Sequence, residues 1–150
     1  MRDKQVRAAE DPQFKCFVQA VTTPVGGTVV YYFGFRLNAT TGAQDGIYIR
    51  VTNNGNFFLV CRNAGVETTS NLLEGVTSTL KELEVRVSSA GTSVRAFING
   101  VAAGSAITTN IPTAILTVVG VMIDNEAVTV TTCAVLDLYW GLGVKVDIIA

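Results

Sequence analysis

Paired carboxylates are the residues of this sequence with the clearest potential for chemistry. A glycosidase needs two carboxyl groups beside the bond that it cleaves, one acting as acid and the other as nucleophile or base. The sequence offers three pairs: Glu82 with Glu84, Asp124 with Glu126, and Asp137 with Asp147. Glu82 and Glu84 lie two residues apart on a predicted strand, and Arg86 continues their face, which indicates a charge-paired outer surface. We therefore expect no catalysis from this pair.

Other catalytic and metal-binding chemistry is poorly represented. The chain contains no histidine, which removes Ser-His-Asp and Cys-His arrangements and most zinc sites. Cys16, Cys61 and Cys133 lack the spacing of a metal site and are odd in number, so we expect free, buried thiols in a reducing compartment. The sequence thus predicts a protein that is not an enzyme and that holds neither a metal nor a cofactor.

A carbohydrate site is the remaining chemical candidate. Sandwich lectins combine a loop aspartate, an asparagine and an aromatic platform, and this chain could assemble Asp45, Tyr48, Asn54 and Trp140 in that way. The alternative interpretation is structural, because Asp-Gly at 45–46 and Asn-Gly at 54–55 are also ordinary turn sequences. The sequence favours the turn interpretation and leaves the glycan site as a hypothesis.

The elements that would position these residues are predicted to be β-strands. Within residues 80–113, Leu83, Val85 and Val87 alternate with charged residues, and Asn99-Gly100 is a strong hairpin signal. About ten such strands recur along the chain, separated by Gly and Asn turns, which predicts an antiparallel β-sandwich. Gly34 interrupts one long strand and marks a bulge or a close approach of two backbones. Residues 66–70 predict a short strand, followed by a loop or helical turn at 71–77.

Composition narrows the partners. The net charge is −1 and basic residues do not cluster, so no nucleic-acid binding is expected. No apolar run reaches 18 residues, which predicts no membrane span, and the charged N-terminus does not resemble a secretory signal. With 49% hydrophobic and only 15% charged residues, we expect part of the surface to be covered by other subunits.

Charge is concentrated at the start of the chain. Seven of the 23 charged residues fall within the first 15 positions. This density predicts an N-terminal arm at residues 1–13, followed by one sandwich domain at 14–150.

Three stretches of the sequence resemble one known family. They are DGIYIRVTNNGNFFLVCRNAGVETT at 45–69, KELEVRVSSAGTSVRAFINGV at 81–101, and TTNIPT at 108–113. These stretches are similar to concanavalin-A-like, or laminin-G-like, jelly-roll domains of tailed-bacteriophage structural proteins. Residues 136–140, LDLYW, look like the last element of that family, so the resemblance covers roughly residues 28–140.

The resemblance implies a jelly-roll virion protein with no enzymatic activity. The expected role is a capsid cement (decoration) protein, made in the bacterial cytoplasm and bound to the phage head surface, where it bridges major capsid proteins. A homotrimer is expected, because such proteins occupy three-fold axes. The expected capsid-docking residues of the arm are Arg2, Lys4, Arg7 and Phe14. The expected subunit contacts of the terminal strand are Val144, Val146, Ile148 and Ile149.

Two rival functions remain open at this point. One is a carbohydrate-binding module of a tail fibre or spike that recognises host glycans. The other is a non-viral laminin-G-like adhesion module, which the odd cysteine count and the absence of a signal argue against.

Overall fold

Ten β-strands lie in the part of the chain that the computed structural model describes: residues 6–20, 29–38, 44–51, 56–75, 79–125 and 133–142. For residues 20, 29, 30, 75, 121–125 and 133–142, only the backbone is described. The strands are β1 (Pro12–Ala20), β2 (Val29–Arg36), β3 (Gly46–Val51), β4 (Asn56–Asn63), β5 (Val66–Gly75), β6 (Lys81–Ser88), β7 (Ser93–Ile98), β8 (Val101–Ile107), β9 (Val118–Asn125) and β10 (Cys133–Leu142). No helix among these described residues is long and apolar enough to cross a membrane.

The strands form two five-stranded antiparallel sheets. Sheet one has the order β10-β1-β6-β7-β8, and sheet two has the order β5-β4-β3-β2-β9. The predicted fold class, an antiparallel jelly-roll sandwich of about ten strands, is therefore confirmed.

Alternation of residue types determines which face of each strand enters the core. In β6, Leu83, Val85 and Val87 are buried between the sheets, as their spacing predicts. The hairpin between β7 and β8 turns at Asn99-Gly100, where both residues have positive φ, as a type I′ turn requires. The Asn99 side chain also accepts a hydrogen bond from the Glu82 backbone N–H at 2.9 Å, which fixes the end of the hairpin.

Aromatic side chains dominate the core of sheet two. Tyr31, Phe33 and Phe35 of β2 all point inward and are almost completely buried. Phe14 of β1 meets Phe35 edge-on, with ring centroids 5.9 Å apart, and so joins the two sheets. The core therefore runs continuously between the inner faces of both sheets.

The N-terminal arm differs from the sequence-based prediction. Val6 is completely buried and bridges Leu116, with N···O distances of 2.9 and 2.7 Å, and Ala8 is buried nearby. β1 then begins at Pro12, inside the range assigned to the arm. Residues 6–13 therefore pack on the sandwich, and residues 1–5 lie outside the described part of the chain. The charge count misled the prediction because Arg7 and Glu10 are exposed while Val6 and Ala8 are buried.

Candidate functional site

The outer face of sheet two carries an unusual set of charged and aromatic side chains. Strand register places them side by side: Gly46 of β3 pairs with Arg36 of β2 and with Arg62 of β4, and Arg62 pairs with Glu67 of β5. Tyr32, Tyr48 and Arg50 occupy the outward positions of the neighbouring rows. We call this surface the arginine–tyrosine face, and its residues are Tyr32, Arg36, Tyr48, Arg50, Arg62 and Glu67.

Tyr48 lies at the centre of this face, where Gly34 and Gly46 have no side chains and so leave room for its ring. It pairs with Gly34 on β2, where a methyl group would lie 2.5 Å from the Ile47 carbonyl oxygen. Gly34 also has φ +146°, a conformation that side chains rarely adopt. A methyl group at Gly46 would lie 3.1 Å from the Tyr48 ring. The small residues thus let the tyrosine ring lie close to the sheet, and the predicted close approach at Gly34 is confirmed.

The two tyrosines and one arginine form a stacked cluster. Tyr32 meets Tyr48 edge-to-face, with centroids 5.2 Å apart and planes at 82°. The Arg36 guanidinium lies 4.4 Å from the centroid of the Tyr32 ring, in cation–π contact. Arg36 is only 2% exposed, so it covers the sheet and positions the rings instead of projecting into solvent.

Arg50 and Arg62 are the more accessible cations, each with roughly a quarter or less of its side chain exposed. Arg50 binds Glu67 in a bidentate pair, with both N···O distances at 2.9 Å. The Arg62 guanidinium lies 3.7 Å from Asp45 and 3.9 Å from Glu67, and it makes no hydrogen bond within the described residues. Arg62 therefore retains N–H donors that a ligand could use.

Burial and the neighbouring charges of the arginine–tyrosine face shift the pKa of the Tyr48 hydroxyl. Burial raises the pKa of Tyr48 to about 12, and the nearby Glu67 charge contributes in the same direction, while Arg50 and Arg36 oppose it. The hydroxyl remains neutral at physiological pH and donates to the Gln44 carbonyl oxygen at 3.3 Å. The face consequently offers guanidinium donors beside neutral rings, which suits binding of carboxylates and hydroxyls more than proton transfer.

The predicted glycan residues do not assemble as the sequence hypothesis required. Asp45 accepts backbone hydrogen bonds from Ala64 and Gly65 at 2.8 and 3.0 Å, so it holds the β4–β5 turn. Tyr48 is completely buried and cannot serve as an exposed platform. Asn54 lies outside the described residues. The Trp140 backbone belongs to β10 of sheet one, whereas Tyr48 belongs to sheet two.

The predicted docking and subunit residues have mixed outcomes. Phe14 is completely buried in the core, so its proposed contact with a capsid is corrected to a packing role. Arg7 is exposed, and its docking role stays a prediction. The other residues assigned to these two surfaces lie outside the described residues: Arg2, Lys4, Val144, Val146, Ile148 and Ile149.

The carboxylate pair on sheet one is charge-paired, as predicted, but only Glu82 is partly exposed to solvent. Lys15 binds Glu82 at 2.9 Å, and Arg86 binds Glu84 at 2.5 and 2.9 Å. The hydrogen bonds that Arg86 donates to the Glu84 carboxylate raise the pKa of Arg86 above its ordinary value. Glu84 is fully buried and also accepts a hydrogen bond from Gln13. No group of three His, Cys, Asp or Glu residues suited to a metal ion occurs in the part of the chain that is described.

Sequence reasoning missed the arginine–tyrosine face. The available signal was alternation: Tyr48 and Arg50 stand two apart, as do Val60 and Arg62. Outward positions of a half-buried strand normally carry small polar residues, so large aromatic and cationic residues there mark a special surface.

Comparison with known proteins shows the fold. No family model and no curated protein matches the chain. Among solved structures, an alginate lyase of Pseudomonas aeruginosa is similar with a TM-score of 0.63 and 10% identity, over 92% of this chain and 68% of the lyase. A β-glucanase of Bacillus licheniformis has a TM-score of 0.60 and 14% identity, over 91% of this chain and 66% of the glucanase.

A binding module has the same architecture. The carbohydrate-binding module CBM66 of Bacillus subtilis is similar with a TM-score of 0.59 and 8% identity, over 91% of this chain and 76% of the module. These identities are too low to carry function across, and the likeness shows the fold alone, a jelly-roll β-sandwich. This chain spans about two thirds of the length of the glucanase.

Proposed function

We propose that this protein is a non-enzymatic carbohydrate-binding domain that binds acidic saccharides on the arginine–tyrosine face. The observation that carries the proposal is that Arg50 and Arg62 converge on Glu67, above a bed of buried tyrosines, on one face of the sheet. Guanidinium groups match the fork geometry of a carboxylate and bind it in two parallel hydrogen bonds. A uronic acid presents that group on a polyhydroxylated ring.

The internal pair indicates how such a ligand would bind. Glu67 already supplies a carboxylate to Arg50, and it lies 3.9 Å from Arg62. Arg62 has only its longer ion pairs to Asp45 and Glu67 and no hydrogen bond within the described residues, so an incoming carboxylate gains N–H donors there without breaking a hydrogen bond. Arg50 joins the ligand only by loosening Glu67. Arg62 is therefore the first contact and Arg50 the second.

The structural neighbours support a saccharide ligand. Those described above are named a lyase of alginate, a glucanase and a carbohydrate-binding module. This agreement favours carbohydrate binding over a capsid role. It also fits the sequence-based alternative in which the domain belongs to a tail fibre or spike and recognises host glycans.

Binding without turnover is part of the proposal. The chain has no histidine, and the two carboxylates at this face are already engaged, Glu67 by Arg50 and Asp45 by two backbone N–H groups. A general base must be poised to take a proton, which neither of these is.

The capsid cement hypothesis stays a prediction of the sequence. Its support is the low charge and high apolar content of the chain, together with the family resemblance. Location on a phage head, contact with major capsid proteins and a homotrimeric state are all proposals of the same standing. Light scattering of the purified protein and co-sedimentation with phage heads would test them directly.

Isothermal titration calorimetry tests the carbohydrate proposal. We expect alginate hexasaccharides, which carry a carboxylate on every sugar, to bind saturably and more weakly as salt is raised. Arg62→Ala should reduce affinity about tenfold or more, because a charge-assisted contact is lost. The matched control is Arg95→Ala, an exposed arginine of β7 on the other sheet, which should change affinity less than about twofold. No binding of the acidic sugar, or equal losses for both variants, would overturn the proposal.

A further inference from the structure

A second feature of the molecule, a cleft at one side of the sandwich, is not used by the arginine–tyrosine face. The cleft lies where β5, an edge strand of sheet two, meets β8, an edge strand of sheet one. Its volume is about 690 Å³, within the roughly 300–1,000 Å³ typical of small-molecule sites.

The chemistry of the lining is uniform. Seven of the eleven lining residues carry a hydroxyl or amide side chain, and none of the eleven is charged. The hydroxyls of Ser105 and Thr108 have no hydrogen-bond partner among the described residues, and both side chains are exposed. The cleft therefore presents donors and acceptors for a ligand that also bears hydroxyls and no charge.

Hydrogen bonds between β5 and the segment of β8 and the residues after it hold the cleft in a pre-formed shape. The Ser105 backbone N–H donates to Ser70 Oγ at 2.8 Å, and the hydroxyls of Thr68 and Thr109 lie 3.0 Å apart. Gly104 allows this close approach, because a methyl group there would lie 2.7 Å from the Asn71 carbonyl oxygen. A rigid site avoids the entropy cost of ordering a loop when the ligand binds.

An exposed leucine lies in the cleft wall. Leu73 is 86% exposed and has φ +58°, which is rare for a residue other than glycine or asparagine. The Asn71 side chain holds this conformation by accepting the Leu73 N–H at 2.8 Å. It coincides with a bulge in β5, since Phe58 pairs with Asn71 while Asn56 pairs with Gly75. Bulges re-aim side chains beside binding sites, and backbone strain concentrates at such sites.

We propose that the β5–β8 cleft binds a neutral oligosaccharide. The hydroxyls of Ser105 and Thr108 hydrogen-bond the ring hydroxyls, and Leu73 packs against the C–H face of a sugar. An extended peptide fits less well, because strand addition takes its specificity from pockets for alternate side chains, and the lining here is mostly hydroxyl and amide groups. This site shares β5 with the arginine–tyrosine face but takes a ligand of different charge.

Nuclear magnetic resonance titration of the full chain tests this site. The probes are cellohexaose, laminarihexaose and xylohexaose, observed through backbone amide shifts. We expect at least one of them to give saturable shifts at Ser105 and Thr108. Leu73→Asn should weaken that binding about fivefold, the effect of losing roughly 40 Å² of apolar contact. Asparagine tolerates positive φ, so this variant should remain folded.

The control is Val66→Asn, an exposed residue of the same strand outside the cleft, which should bind like the wild type. If none of the three sugars shifts the amide resonances of the cleft, the proposal is overturned. Unchanged affinity in Leu73→Asn would also overturn it, as would shifts produced only by an unstructured Ser/Thr/Val peptide. Failure of alginate binding alongside cleft binding by a neutral sugar would refute only the function proposed for the other face.

Discussion

Arg50 of β3 binds Glu67 of β5 across the intervening strand β4, with both guanidinium–carboxylate distances at 2.9 Å. Val60 of β4 is completely buried although it points to the outer face. The ion pair thus covers the position of Val60, an apolar residue that would otherwise face water on this surface of the sheet. It also places a carboxylate at the point where we propose that an acidic sugar binds.

Glu67→Gln should increase affinity for acidic saccharides about three- to tenfold. The substitution removes the internal carboxylate that competes for Arg50 and leaves Arg50 and Arg62 without a shared counter-charge. The stability loss should be about 1 kcal/mol, because both side chains of the pair are partly solvated. Calorimetric titration with alginate hexasaccharide measures the change.

A matched substitution separates this effect from general charge. Glu74→Gln removes a carboxylate of the same strand that pairs with Lys81 at 2.7 Å, away from the arginine–tyrosine face. It should leave the affinity unchanged. Weaker binding in Glu67→Gln would show that Glu67 supports the ligand instead of competing with it.

Gly34→Ala should destabilise the fold by about 2 kcal/mol or more. The added methyl group meets the Ile47 carbonyl oxygen at 2.5 Å, on a backbone with φ +146°. Gly100→Ala is the control: its φ is +76°, but nothing lies within 4 Å of the added atom, so only backbone strain of about 1 kcal/mol is expected. Urea unfolding compares the two variants. Equal losses would mean that the packing of Tyr48 over Gly34 is not tight.

Glu84→Gln should cost more stability than Glu82→Gln. Glu84 is fully buried and bound by Arg86 and Gln13, so neutralising it weakens several hydrogen bonds, at about 2 kcal/mol. Glu82 is partly exposed and pairs with Lys15 at 2.9 Å, so its neutralisation should cost less than about 1 kcal/mol. Thermal unfolding of both variants at neutral pH makes the comparison, and the reverse order would refute it.

The folded state should lose stability at alkaline pH. Burial raises the pKa of the Cys61 thiol and of the Tyr48 hydroxyl to about 12 each, from ordinary values of 9.0 and 10.0. Above pH 9 the unfolded chain therefore releases these protons first, which favours unfolding. The stabilisation from Cys61 is complete below pH 9 and that from Tyr48 below pH 10, and each is lost progressively up to about pH 12, at up to about 1.4 kcal/mol per pH unit.

Tyr48→Phe isolates one of the two groups. The variant should show a shallower decline in the free energy of unfolding between pH 10 and 12 than the wild type. The hydrogen bond that it removes, to the Gln44 carbonyl at 3.3 Å, is long, so its stability at neutral pH should change little. An identical slope in both proteins would show that Tyr48 does not titrate differently in the folded state.

Local turn chemistry made much of the fold predictable. The Asn99-Gly100 hairpin and the inward Leu83 and Val85 follow from short-range patterns, and the structure has both. The structure of the region after residue 70 was harder to predict from the sequence. A bulge at Leu73 breaks the alternation of β5, so the sequence of this strand resembles that of a loop. The arm was misjudged because charge was counted without regard to the buried Val6.

The candidate site was largely hidden because it depends on sheet register. Arg36, Arg62 and Glu67 come from three strands and become neighbours only through pairing across Gly46. No short-range pattern reports that pairing. Asp45 illustrates the opposite case, in which the turn interpretation of the sequence describes its role better than the glycan hypothesis.

Backbone amide shift mapping with alginate hexasaccharide tests the central claim most directly. The account predicts saturable shifts on β3, β4 and β5 around Arg50, Arg62 and Glu67, with little change on β6 and β7 of the opposite sheet. Shifts centred on sheet one, or no saturable shifts at low salt, would contradict the assignment of the arginine–tyrosine face as a site for acidic saccharides.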